Sequence, residues 1–165
     1  MPDYRTIPLA CCLGAAMALA GCGSAGSKTA DPAKTAGLVK DAASGLVAAF
    51  NAHDAKKAVS FDAGEYIGMM HGTNNVIGPG QDLVLTTKQL DDPAAKLALS
   101  NLAVDVANSG EMAVSTANYA YTFTDPETKA PTVEKGNWVI GWKLQPDGNV
   151  KATWSVVSDT PKPAA

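Results

Sequence analysis

His53 and His71 are the only histidines in the chain, and either could act as a general base because imidazole titrates near neutrality. Both also suit plain structural posts, one at a helix junction and one in a loop. Three carboxylates fall in stretches that read as strand or strand edge: Glu65, Asp105 and Glu111. A carboxylate drawn into a pocket holds its proton more tightly and gains the strength to abstract one. Asp105 stands between Val104 and Val106 and should point away from them, toward solvent. Glu65, beside Tyr66, is better placed, so Glu65, Tyr66 and His71 make up the catalytic short list. No Ser-His-Asp pattern or phosphate-cradling glycine loop is visible. Two histidines without close i, i+4 or CxxC-like spacing do not make a metal signature, so neither metal nor cofactor is expected.

The second group is aromatic. Tyr119 and Tyr121 share one face of an alternating run with Phe123. Trp138 and Trp142 share a face of another run with Ile140 and Leu144. Trp154 alternates in step with Val150, Ala152 and Val156. Sheets use such side chains as cross-strand partners, and the same side chains can line a pocket. Tyr119, Tyr121, Trp138, Trp142 and Trp154 are therefore the candidate ligand-binding residues.

These residues need elements to hold them. Asp31-Pro32 is a helix start, with Asp as cap and Pro in the first turn. Leu38, Ala42, Leu46 and Phe50 recur every fourth residue, which gives an amphipathic helix over about 32–51. Asp54 caps a second, short helix. Glu65 to His71 reads as a short strand, Gly78-Pro79-Gly80 as a break, and Leu83, Thr87 and Leu90 as a third helix ending near Asp92-Pro93. The remainder alternates as sheet: 96–107 with a phase change at Ser100-Asn101 that suggests a bulge, then 112–124, 137–144 and 150–157. Pro146-Asp147-Gly148 is a turn. Helices followed by a long antiparallel sheet make an α+β class.

At 165 residues with a net charge of −3, the chain is about one domain long and lacks the basic stripe that nucleic acid binding requires. Cys11, Cys12 and Cys22 all precede the domain, which must hold together without disulfides. The first residues carry Arg5, then a fourteen-residue run of apolar and small residues, IPLACCLGAAMALA, which suits a signal peptide better than a membrane span. Leu19-Ala20-Gly21-Cys22 resembles the lipobox of bacterial lipoproteins, in which the cysteine thiol receives a diacylglycerol. The implied organisation is a signal peptide over 1–21, lipidation of Cys22, a Gly/Ser-rich flexible tether over 22–31, a domain over 32–160 and a loose tail over 161–165. The implied location is the cell envelope, on the outer membrane facing the periplasm in a Gram-negative cell.

The phrase LVAAFNAHDAKKAVSF resembles the opening helices of the ketosteroid isomerase-like group of the nuclear transport factor 2-like superfamily. The later Thr124-Asp125-Pro126, Lys135-Gly136-Asn137-Trp138, Trp142-Lys143 and Gln145-Pro146-Asp147-Gly148 resemble its SnoaL-like branch. The resemblance covers about 34–160 and implies a cone-shaped fold, a strongly bent sheet wrapped around helices, a mostly apolar pocket and homodimers. Relatives often place an Asp in the last strand where this chain has Trp154, which counts against an isomerase mechanism. The leading expectation is a membrane-tethered module that binds a small apolar or aromatic molecule. The alternatives are an isomerase- or cyclase-type enzyme acting on a hydrophobic carbonyl compound, and a structural lipoprotein that homodimerises through its sheet. A pocket carboxylate with a strongly raised pKa would favour the enzyme, and a purely apolar pocket would favour binding.

Overall fold

A computed structural model describes residues 30–160. The signal peptide, Cys22 and most of the tether lie outside these residues, as does the 161–165 tail. Three helices, α1 (Pro32–Asn51), α2 (Ala55–Val59) and α3 (Gly78–Leu90), accompany six strands: β1 (Asp62–Met70), β2 (Val76–Ile77), β3 (Lys96–Val106), β4 (Met112–Thr124), β5 (Pro131–Leu144) and β6 (Val150–Asp159). The strands form one open sheet in the order β2-β1-β6-β5-β4-β3. Every pairing is antiparallel except β1 with β6. The α+β expectation holds. Among the described residues, no helix is long and apolar enough to cross a membrane.

Local chemistry sets the helix starts. Asp31 accepts a hydrogen bond from the Ala33 amide at 2.9 Å and Pro32 occupies the first turn of α1. Asp54 accepts from the Lys57 amide at 2.9 Å to open α2. These are the capping roles that the two aspartates suggest in sequence. Gly78-Pro79-Gly80 is not a break but the start of α3: Gly78 turns at φ +73° and Pro79 supplies the first helical turn. The chain before α1 is also tied down, since the Ala30 amide donates to the Ser109 carbonyl at 3.0 Å.

Two extra residues decide which side chains face inward. In β3 the pairing jumps from Ser100↔Asn118 to Ala103↔Thr116, with Asn101 at φ +55°, as the phase change suggests. Leu97 and Leu99 before it, and Leu102, Val104 and Val106 after it, are all half-buried. In β6 the pairing steps from Gly141↔Trp154 to Trp142↔Ala152, leaving Thr153 as the extra residue. Alternation alone puts Trp154 and Val156 beside Val150 and Ala152. The bulge instead turns them outward and turns Ser155 and Val157 inward.

The core has two parts. Val39, Ala42 and Ala43 of α1 pack with Tyr66, Ala113, Ile140, Trp142, Val150 and Ala152, while Phe50, Leu90 and Ala95 close the other end. Trp142 is 0% exposed and donates from Nε1 to Ser115 Oγ at 2.8 Å. Its bulk and its one donor are thus both used within the core.

Candidate functional site

Between the two core clusters lies a cavity of about 340 Å³. Leu46 and Phe50 of α1, Leu85 of α3, Leu97 of β3 and Val157 of β6 give it an apolar wall. Tyr121 joins that wall with its ring edge-on to Phe50 (centroids 6.0 Å apart) and stacked on Phe123 (5.4 Å). Contact with apolar and aromatic surface of this extent is what holds small organic ligands.

The opposite part of the lining is polar. Asp62 opens β1 directly after α2, and Asp82 sits in the first turns of α3. The two carboxyl groups are near enough to act on each other's ionisation. Burial and the neighbouring Asp82 push Asp62 up to about 8, against a smaller downward pull from Lys151. Burial also raises Asp82. Two carboxyl groups in this setting favour holding a proton between them over ionising together. Asp62 Oδ2 is sealed from solvent with no N–H or hydroxyl donor of its own. Tyr66 lies on the same strand, its hydroxyl 2.7 Å from Ser155 Oγ. Burial raises the phenol pKa, so Tyr66 stays neutral.

A second polar group stands at the mouth. Tyr119 donates to Glu134 Oε1 at 2.5 Å, and His71 Nε2 lies 3.4 Å from the same oxygen. Trp138 completes the lining from β5, and its Nε1 is buried without a hydrogen-bond partner.

The residues nominated from sequence divide clearly. Tyr66, His71, Tyr119, Tyr121 and Trp138 all line the cavity. Glu65 does not: it is exposed, while Tyr66 next to it is buried. Trp142 is core, and Trp154 lies on the outer face of the sheet, where its ring covers Gly141. His53 is a junction residue whose Nδ1 is 2.9 Å from the Leu90 carbonyl oxygen. Asp105 and Glu111 are exposed. Asp62, Asp82, Glu134 and Ser155 escape the sequence reading. Asp82 alone leaves a trace there, because it shares a helical stripe with Leu85, Thr86 and Gln89. Among the described residues, no group of three or more His, Cys, Asp or Glu side chains could hold a metal ion.

No protein-family model matches the chain, and no curated protein matches it in sequence. Solved structures do match it in fold. A nuclear transport factor 2-like superfamily protein from Salmonella enterica serovar Typhimurium superposes with a TM-score of 0.70 at 12% identity, over 81% of this chain and 96% of that one. A ketosteroid isomerase-like protein from Erwinia carotovora gives 0.64 at 14%, over 77% and 97%. A hexachlorocyclohexane dehydrochlorinase from Novosphingobium barchaimii gives 0.66 at 12%, over 76% and 86%. The chain has the nuclear transport factor 2-like fold, in line with the resemblance of its sequence motifs. Identities this low speak to fold alone.

Proposed function

We propose that the domain binds a small, largely apolar molecule in this cavity, as a module tethered to the cell envelope by a lipid on Cys22. The supporting observation is the cavity itself, large enough for one or two rings and walled by Leu46, Phe50, Leu85, Leu97 and Tyr121. The neutral fluorophore N-phenyl-1-naphthylamine tests this. It should bind saturably to the wild type and fail to bind a folded Leu85→Trp variant, whose indole fills the space. Absence of saturable binding by the wild type would end the binding reading. The anchor rests on the Leu19-Ala20-Gly21-Cys22 run. Mass spectrometry of the membrane fraction should find an acylated peptide beginning at Cys22, and Cys22→Ala should abolish it.

The Asp62–Asp82 pair favours a second reading, an enzyme that moves protons on a hydrophobic carbonyl compound. A carboxyl group pushed up to about 8 can donate or accept a proton near neutrality. Among proteins of this fold, one is a hexachlorocyclohexane dehydrochlorinase and another is named ketosteroid isomerase-like, which is in keeping with this reading. Exchange of α-hydrogens of a cyclic ketone in deuterium oxide, lost in Asp62→Asn, would establish this reading. No exchange beyond the buffer rate would remove it.

A homodimer is the proposed assembly. Ile67, Met112, Val114 and Val156 on the strands are each 37–49% exposed and offer an apolar surface that a second sheet could cover.

A further inference from the structure

Among the described residues, three carboxyl side chains, Asp62, Asp82 and Glu134, line the cavity, and no Lys or Arg does. Among the described residues, the one basic side chain in the lining is His71, already set against Glu134. The remaining wall includes the aromatic rings of Phe50, Tyr121 and Trp138. Resting on the reading that this cavity binds a small molecule, we propose that its occupant is an organic cation. Specifically, it is a protonated amine on an apolar body, with its ammonium group at Asp62 and Asp82 and its body along the aromatic wall.

Two neighbouring carboxyl groups drawn partly away from water are costly to ionise together, so on their own they favour holding a proton between them. An ammonium group brings the positive charge that lets both ionise. The carboxyl O–H bond breaks, the proton leaves to buffer, and the cation stands against two carboxylates. Aromatic faces add a further attraction for positive charge. An anionic ligand meets the opposite field from all three acidic side chains. The other groups facing the pair do not cancel this preference. The Tyr66 hydroxyl is committed to Ser155, and the Lys151 ammonium, outside the lining, donates to the Ser60 carbonyl. Tyr119 is committed to Glu134.

The test uses the purified full chain and three probes of equal size class: 2-phenylethylamine, 2-phenylethanol and phenylacetate. Titration calorimetry near pH 7, in buffers of different ionisation heat, reads both affinity and proton release. The amine should bind at least about tenfold tighter than the alcohol, phenylacetate should bind weakest, and close to one proton should leave per amine bound. Amine affinity should rise from about pH 7 to about pH 9, where an alkylammonium is still charged and the carboxyl pair is losing its proton. In the Asp62→Asn/Asp82→Asn variant the amine should fall to the affinity of the alcohol. Should that variant not fold, proton release by the wild type decides alone. Amine binding without proton release, or phenylacetate binding as tightly as the amine, would overturn the proposal. The alcohol binding as well as the amine would overturn it while leaving the cavity as a binding site. Failure of both to bind would overturn the cavity reading as well.

Discussion

The hydroxyls of Tyr66 and Ser155 meet at 2.7 Å although 89 residues separate them in sequence. The parallel pairing of β1 with β6 brings them together, through Gly68↔Ser155 and Ile67↔Trp154. Both are buried, so each hydroxyl depends on the other. Tyr66→Phe should therefore destabilise the domain by about 1–2 kcal/mol through the stranded serine hydroxyl. Urea denaturation measures this, and Tyr66→Phe/Ser155→Ala should recover part of the loss.

The carboxyl pair gives stability an unusual pH dependence. Asp62 binds its proton more tightly in the folded state than in the unfolded chain, its pKa rising from 3.8 to about 8. Between those values the native state holds more protons, so this group's contribution to stability is complete at low pH and declines as pH rises through about 8. The melting temperature of the wild type relative to Asp62→Asn should thus fall from acid toward mildly alkaline pH. A difference that grows with pH would contradict the assignment.

Trp142 and Trp154 should separate cleanly. Trp142→Ala removes a fully buried indole and strands Ser115, and should cost about 3–5 kcal/mol. Trp154→Ala, on the outer face, should leave N-phenyl-1-naphthylamine affinity unchanged in a folded protein. A marked loss of probe binding in Trp154→Ala would place that ring's influence inside the cavity after all.

Gly136 and Gly141 are required by close approach. A Cβ at Gly136 would lie 2.0 Å from the Ser158 carbonyl oxygen, and one at Gly141 would lie 2.2 Å from the Trp154 ring. Gly136→Ala meets backbone and should lower the denaturation midpoint more than Gly141→Ala, where a side chain can shift.

The outer face offers a test of assembly. Sedimentation of the domain should show a dimer at micromolar concentration, and Val114→Glu, which places charge in the exposed apolar patch, should give monomer. A monomeric wild type would refute the dimer.

The sequence carries the helices and most strands because their cues are local. Asp31-Pro32 and Asp54 cap what they should, and β4 starts and stops where its alternation does. Two kinds of information are absent from it. One is the bulge at Thr153, which has no residue signature and reverses the facing of Trp154 and Ser155. The other is the distinction among aspartates. Asp31 and Asp54 show their capping roles in their neighbours, whereas nothing next to Asp62 in sequence shows that it will meet Asp82 in a cavity. Glu65 draws notice because β1 reads as starting there. The strand begins at Asp62, and its irregular pairing between Asp62 and Ile67 leaves Glu65 outside.

The bond from Ala30 to Ser109 also sets a direction. It ties the incoming chain to the turn before β4, whereas the cavity is built from Tyr119 and Tyr121 farther along that strand. From Met112 to Tyr121 an extended strand climbs about 30 Å. The chain thus enters the domain at one end of β4, and the cavity is built at the other.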